Sequence, residues 1–408
     1  MRFVWVTKEV PFNPDSGLLL YSNGLLRGLL GGGATGTLIA YKRERTIESV
    51  IAGLEVRTLP RVRRLRALSL FTKAHSDSFR FQSTEFVRML EEALLEKPDL
   101  VVIDYFSMGW VLSVMESIFR HTRSRPVVVY IAHNFESTLR SQVAKSTRNP
   151  LMRLILQIDA RKAAALERQL VAASDLVIAI SDEDKKCFEQ LSGGKLVITI
   201  TPAFNGDMLP TRPINKDMPR RVVILGSFEW IAKQANLRRF LRYAHRPFTE
   251  ARIDLTVVGK APDNFVKELT ARFPFCHFTG RVDDVRPFLE DARIGIMPDD
   301  VGGGFKLKLL DYIFAGVPIA TIRSQFTGIP VDTEQDLIAR DTMEELVAAV
   351  VESIDDIQRL NTMRQRCLTT CASAFKWDDR GRQLRAGIEM VMKERASRAA
   401  SLSALKTP

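Results

Sequence analysis

Cysteine is scarce in this chain. Four occur in 408 residues, Cys187, Cys276, Cys367 and Cys371, at spacings that fit neither a disulfide framework nor a zinc site. Cys367 and Cys371 are four apart in a helical pattern, so both thiols share one helix face and read as packing. No apolar run approaches the ~20 residues of a membrane span. The opening residues Met1-Arg2-Phe3-Val4-Trp5-Val6 already read as a strand, without the pattern of a secretory leader. Several catalytic signatures are missing too. The absence of a G-x-x-x-x-G-K-[ST] run argues against a P-loop NTPase, and that of a G-x-S-x-G elbow against an α/β-hydrolase. No G-x-G-x-x-G follows the first strand, as a nicotinamide site there would require. These absences predict a protein of the cytoplasm that carries no metal.

What is present is a mixed, globular composition: 46% hydrophobic and 26% charged, with a formal net charge of +11. A chain of this length accommodates two domains. The excess charge leans to the first half, where residues 1–200 hold 28 Lys and Arg against 21 Asp and Glu. Its densest patch contains Arg61, Arg63, Arg64 and Arg66, with Leu65, Leu68, Leu70 and Phe71 among and after them. A basic amphipathic segment suits an anionic membrane surface; a solvated basic helix is the plain alternative. Nucleic acid is disfavoured, because the aromatic interleaving of a single-strand binder is missing.

Apolar strand-like runs alternate with helical patterns, the signature of parallel α/β sheets. In the first half, strands are predicted at Phe3–Val6, Thr37–Ala40, Leu100–Tyr105, Val127–Ala132 and Leu176–Ile180, with helices at Gly17–Leu30 and Leu151–Ala173. The segment 201–220 holds four prolines and little periodicity and reads as a linker. A second α/β unit follows, with strands at Val222–Leu225, Asp254–Val258, Cys276–Thr279, Ile294–Met297 and Pro318–Thr321. Its helices are predicted at Leu237–Ala244, Asp263–Arg272, Val285–Ala292, Lys306–Phe314 and Thr342–Asp355. Helix continues from Ile357 to Lys393 with a break near Phe375, and residues 396–408 read as a frayed tail. The expected organisation is a first domain over 1–200, a linker over 201–220, a second domain over 221–375, a C-terminal helix over 376–395 and a flexible tail. Two doubly wound domains facing across a cleft place function in the loops after the strands' carboxyl ends.

Those loops carry chemistry. The run from Gly302 to Pro318 is the richest: glycines that let backbone approach a ligand, then Phe305, Lys306 and Lys308, with Asp311 one helical turn on. Cations and a carboxylate in this order suit a diphosphate carrying a polyol. After Leu225 come Gly226, Ser227 and, on the next helix, Lys233, a second candidate diphosphate contact. Arg281 and Val282 follow another strand, where backbone suits a nucleobase. In the first half, Asp15, Ser16 and Gly17 open a helix and suit a phosphate or an acceptor hydroxyl; a capped Pro-rich turn is the plain alternative. His133 stands at the mouth of a strand, where it suits hydrogen bonding to a sugar or acid–base work. The pairs Asp283-Asp284 and Asp299-Asp300 read as loop or helix-cap acids and not as a metal site.

In this order along nearly the whole chain, several segments together resemble the retaining GT-B glycosyltransferases, specifically the large bacterial polysaccharide and glycolipid group known as glycosyl transferases group 1. They are the loop ending in Gly17, His133-Asn134-Phe135-Glu136, Ala173 to Ser181, Gly226-Ser227-Phe228 with Lys233, Gly280 to Val285 and Gly302 to Pro318. The resemblance implies a first domain that binds a saccharide or lipid-linked acceptor. It implies a second that binds a UDP-, GDP- or TDP-sugar, with no metal or other cofactor, at the cytoplasmic face of the membrane. It assigns Lys233 to the diphosphate, Asp311 to the ribose hydroxyls and His133 to the donor sugar or the reacting face. Gly226, Ser227, Arg281, Val282, Gly303, Gly304, Phe305, Lys306 and Lys308 complete the donor contacts. Two departures stand out: Gly303 occupies the position of the family's first glutamate and Asp311 that of its second. Ser227 replaces a frequent diphosphate-binding arginine, a loss for which Lys306 or Lys308 is the expected compensation. A degenerate GT-B domain that binds a partner, or a nucleotide-sugar epimerase, is the alternative.

Overall fold

In the computed structural model the described residues are 1–14, 16–43, 51–61, 66–120, 125–147, 149–204, 206, 212–229, 231–299 and 305–404. They form two compact units, one of residues 1–203 and 377–408 and the other of residues 204–376.

The first unit is built on a seven-stranded parallel sheet. Its strands are β1 (Arg2–Glu9), β2 (Thr35–Tyr41), β3 (Leu54–Leu59), β4 (Leu100–Asp104), β5 (Val127–Ile131), β6 (Leu176–Ala179) and β7 (Leu196–Thr199), in the order β3-β2-β1-β4-β5-β6-β7. Central strands β4 and β5 are buried at every position, which is why they read as unbroken Val and Ile runs with no alternation. The helices of this unit are α1 (Gly17–Leu30), α2 (Ser76–Phe81), α3 (Thr84–Leu95), α4 (Val111–Phe119), α5 (Glu136–Ser146), α6 (Pro150–Ala173) and α7 (Asp182–Ser192). Asn149 caps α6, its side chain accepting from Met152 N, with Pro150 in the first turn.

The second unit has six parallel strands: β8 (Arg221–Leu225), β9 (Asp254–Val258), β10 (Cys276–Gly280), β11 (Ile294–Met297), β12 (Ile319–Ile322) and β13 (Ile338–Arg340), in the order β10-β9-β8-β11-β12-β13. Its helices are α8 (Ile231–Glu250), α9 (Asp263–Arg272), α10 (Arg286–Glu290), α11 (Lys308–Phe314), α12 (Met343–Ser353) and α13 (Ile357–Cys371). Both sheets have the strand order of dinucleotide-binding folds. The chain reverses direction across the sheet between β1 and β4 in one unit and between β8 and β11 in the other, and crevices for ligands open at such points.

The final helix, α14 (Trp377–Ala404), belongs to the first unit and packs on α1. Small residues make that contact close. A Cβ added to Gly28 would lie 2.6 Å from Gly381 Cα, and one added to Gly24 would strike the Trp377 ring at 2.2 Å. Arg385 donates to the Gly28 carbonyl, and Arg380 to the Thr201 carbonyl and hydroxyl at 2.8 Å each.

Several expectations are corrected. Strands β3 and β13 lack a strong apolar run and escape the sequence reading, β13 having only three residues; β7 escapes it although Leu196-Val197-Ile198 is such a run. Helix α8 runs past Ala244 to Glu250 and contains Pro247. The neighbouring Phe248 is fully buried and meets Phe240 edge-on at 5.9 Å, so packing outweighs the hydrogen bond that proline cannot make. The tail expected to fray stays in α14 through Ala404, within an Ala-rich stretch preceded by an i,i+4 Glu394–Arg398 pair. The later part of the Pro-rich stretch is not a free linker. Ile214 is buried, with its backbone clasped by Asn361: Ile214 N donates to Oδ1 at 3.0 Å and Asn361 Nδ2 donates to Ile214 O at 2.8 Å.

Candidate functional site

In the second unit, the loops after β8 and β11 carry the polar groups of the switch point. Met297 ends β11, and two residues later Asp299 lies buried, 2% exposed. Lys233, in the first turn of α8, donates to Asp299 Oδ2. Lys308, at the start of α11, places Nζ 3.3 Å from the same oxygen. Asn236, one turn along α8 from Lys233, donates from Nδ2 to Oδ1 at 3.3 Å. Burial alone would raise the Asp299 pKa. The opposing pull of Lys308, Lys233 and Lys306 prevails and holds the carboxylate well below its usual range. Lys308 has the mirror-image balance: burial outweighs the attraction of Asp299 and brings its ammonium down to about 8.

Asp311 sits one turn beyond Lys308. Burial pushes its carboxyl up to about 7, so it is held as an acid in an environment that disfavours charge. The next residue, Tyr312, ties the helix to the sheet. Its hydroxyl accepts from Leu225 N at 2.8 Å and donates to the Ile296 carbonyl at 3.2 Å, joining the ends of β8 and β11. Helix α11 starts at Lys308, two residues later than expected, after a tight turn in which Leu309 N donates to Lys306 O at 2.9 Å and Leu310 N to Leu307 O at 2.9 Å.

The ends of β8, β9 and β10 are stitched by backbone. Gly226 N donates to Val258 O and Gly259 N to Gly280 O, both at 3.0 Å. Gly259 has φ +133°, and a Cβ there would fall 1.7 Å from Gly226 O. Only glycine fits this crossing, which brings the Gly226 loop against its neighbour. Ser227 is exposed beside it. Arg281 and Val282 follow β10, the edge strand of the sheet, with Arg281 exposed. Phe305 is buried and its ring packs 6.0 Å from Phe375, so this side chain fills core. Lys306 is 9% exposed beside it. Gly303 and Gly304 lie outside the described residues.

In the first unit, His133 follows β5 and is buried. Its Nε2 lies 2.8 Å from Asp104 Oδ1 at the end of β4, and Trp5 Nε1 donates to Asp104 Oδ2 at 3.0 Å. The carboxylate fixes the imidazole: a proton on Nε2 serves Asp104 and leaves Nδ1 as the acceptor nitrogen. Two aromatic edges flank the ring, Tyr21 at 5.3 Å and Tyr105 at 5.4 Å. Tyr105 has φ +87°, a region bulky residues rarely occupy and one that marks functional sites. Lys8 at the end of β1 sets Nζ 4.2 Å over the Tyr105 ring. Burial lowers the Lys8 pKa, opposed by Glu9. The Gly17 loop joins this group through α1, whose Tyr21 hydroxyl donates to the Ile200 carbonyl at 2.6 Å. Ser16 is exposed and precedes α1 without a side-chain cap; Asp15 lies outside the described residues.

The structure thus brings Lys233, Lys306 and Lys308 to one carboxylate, and His133 to another. Asp299, Asp104, Tyr105, Gly259 and Tyr312 are additions the sequence reading missed. For Asp104 and Asp299 a signal existed, since each is an acid at or just after the end of a buried strand. Of the basic patch, Arg61 forms an ion pair with Glu9 at 3.2 Å; Arg63 and Arg64 lie outside the described residues, as does the Arg66 side chain. A two-turn 3-10 helix over Arg66–Phe71 leaves Leu68, Leu70 and Phe71 exposed, Phe71 at 88%. No described helix is long and apolar enough to cross a membrane. Among the described residues no group of three or more His, Cys, Asp and Glu is placed to hold a metal ion.

Comparison with known proteins places this architecture. No curated protein sequence matches the chain. Residues 219–356 match the family model described as glycosyl transferases group 1. Among solved structures, Alr3699/HepE of Anabaena in complex with UDP superposes with a TM-score of 0.65 at 14% identity, covering 96% of this chain and 100% of that one. A trehalose-6-phosphate protein of E. coli bound to UDP-2-fluoro glucose gives a TM-score of 0.64 at 11% identity, over 95% and 98% of the two chains. WaaG, a glycosyltransferase involved in lipopolysaccharide biosynthesis, gives 0.62 at 14% identity, over 93% and 98%. The chain therefore has the two-domain GT-B fold, and most of its second unit, residues 219–356, is similar to the glycosyl transferases group 1 model.

Proposed function

We propose that the protein is a metal-independent, retaining glycosyltransferase. It moves a sugar from a nucleotide-diphospho-sugar to a saccharide or lipid-linked acceptor in cell-surface polysaccharide or glycolipid synthesis. The observation that carries this reading is the convergence of Lys233, Lys306 and Lys308 beside the β8/β11 switch point. Breaking a glycosidic bond to a nucleoside diphosphate requires stabilising the departing dianion or trianion. Preorganised ammonium groups in a partly dry site do this without a metal. Asp311 accepts the ribose hydroxyls in this reading, and the Gly226 loop approaches the phosphates through its backbone. The Asp104-oriented His133 is the first unit's candidate for hydrogen bonding to a sugar or for acid–base work. Front-face attack within an ion pair needs no protein nucleophile, in keeping with the lack of a glycosidase-type carboxylate pair. HepE is described in complexes with UDP, UDP and glucose, and UDP-glucose, so UDP-glucose is the first donor to try. We further read the basic and exposed apolar surface around Arg61 and Phe71 as a contact with an anionic membrane.

The test is a thermal-shift screen against UDP, GDP, TDP, ADP and CMP and their sugar conjugates without added metal, since a ligand of the folded state raises the melting temperature by mass action. A shift with one nucleotide, lost in Lys233→Ala and Asp311→Ala, followed by transfer with retained anomeric configuration, is the expected result. Binding without turnover on any acceptor would make the chain a binding subunit. A flat screen would overturn the donor site.

A further inference from the structure

Asp299 is absent from the set of groups that the reading above gives to the donor, yet it is the point on which they meet. We propose that Asp299 is the positioning residue of the diphosphate site: it gathers the ammonium groups of Lys233 and Lys308, carried by two different helices, and fixes their spacing for an incoming nucleoside diphosphate. The inference rests on the donor-site reading given above.

Three features support it. The first is geometry. One carboxylate oxygen is shared by Lys233 and by Lys308 at 3.3 Å, while the other accepts from Asn236 at 3.3 Å. The two lysines are 75 positions apart in sequence, and among the described residues Asp299 is the group that links them. The second is the arithmetic of donors. An ammonium has three N–H groups; Asp299 takes one from each lysine, and the others point elsewhere. The carboxylate therefore holds the cations without saturating them. The third is charge. Lys233 and Lys308 both contact the one carboxylate, two cations to one anion, and Lys306 adds its pull on the same group. Without Asp299, the two ammonium groups repel each other and part, and Lys308 loses the attraction that opposes its burial. A lysine on its flexible four-carbon stem needs such a fixed partner to act as an oriented donor.

The groups that face Asp299 are Lys233 and Asn236 from α8, Lys306 and Lys308 at the start of α11, and Tyr312, buried further along α11. Burial and Lys233 both push the Lys308 ammonium down, and Asp299 is what holds it up, at about 8. Diphosphate affinity should therefore weaken as pH rises through about 8 in the natural protein. Removing the Asp299 charge should move that limb to lower pH.

The experiment is isothermal titration of the full chain with UDP, GDP, TDP and ADP without metal across a pH series, using Asp299→Asn, which keeps the shape and removes the charge. We expect about tenfold weaker binding near neutral pH and an alkaline limb displaced downward by about one unit or more. A variant that keeps the natural affinity and the natural limb overturns the role of Asp299 and leaves the donor site standing. A natural protein that binds none of the four diphosphates overturns both. If Asp299→Asn does not fold, Asp299→Asn/Lys308→Gln removes an opposite pair together and is compared with Lys308→Gln. A further loss of affinity in the double variant supports positioning of Lys233. Affinity equal to or tighter than that of Lys308→Gln shows a carboxylate that only repels the ligand, and overturns the proposal.

Discussion

Residues at the two strand edges are held in states they would not adopt in water. Asp311 is the clearest case. Its carboxyl titrates at about 7 in the fold, because burial disfavours the charged form, against 3.8 when exposed. Between those values the folded chain keeps a proton that the unfolded chain has released. Stability therefore falls as pH rises through this window, the reverse of a salt-bridged acid. Replacing Asp311 by Asn should remove that dependence. Thermal unfolding of both proteins from about pH 5 to about pH 8 should show Asp311→Asn gaining on the natural protein as pH rises; a constant difference would show that Asp311 is not strained by burial. A ribose hydroxyl donating to this carboxylate would favour its charged form, so protection by nucleotide should rise with pH up to about 7, before the Lys308 limb near 8 reduces it. Sequence marked Asp311, Lys233 and Lys308 because acids and cations in a strand-edge loop are legible. It did not mark Asp299 as a hub, since a buried and a solvated aspartate are written identically. Tyr105 and Gly259 escaped for a related reason: a positive φ is imposed by neighbours.

At the scale of elements, helix packing decides what composition leaves open. Helix α14 lies on α1 through glycines, with Gly28 and Gly381 backbone to backbone, and Leu384 and Ile388 fully buried. No side chain can be inserted there without parting the helices. Gly381→Val should lower stability by about 1–3 kcal/mol through overpacking. Urea unfolding with an unchanged slope would report it, and a midpoint equal to that of the natural protein would show a loose contact. Strands β1, β4 and β5 were legible as apolar runs because they are buried on both faces, and α1 by the helical spacing of its apolar residues. Short edge strands were not: β3 is half-buried and β13 has three residues, and such strands exist by pairing with a neighbour already in place. Pro247 misled for the same reason, since its penalty is offset by contacts made elsewhere in the unit.

At the scale of the whole molecule, charge and exposed apolar surface set the partners. A net charge of +11, weighted to the first half, together with the exposed Leu68, Leu70 and Phe71, predicts association with anionic vesicles. Each basic group near such a surface contributes about 1 kcal/mol, weakened by salt. Flotation with vesicles rich in phosphatidylglycerol should exceed that with neutral lipid, fall with salt and drop in Arg61→Ser/Phe71→Ser. Equal flotation on both lipids, or indifference to the substitutions, would remove the membrane from this account. The sequence by itself determined that the chain makes two parallel α/β units, because alternating buried runs and amphipathic helices have few other solutions. It also determined which loops face the carboxyl ends of the strands, because chain direction is written in the order of elements. Only the tertiary structure decided which of the charged side chains in those loops meet: Lys233 with Lys308 on Asp299, His133 with Asp104. Those encounters join residues far apart along the chain, and their energies depend on burial and distance, which no local pattern encodes.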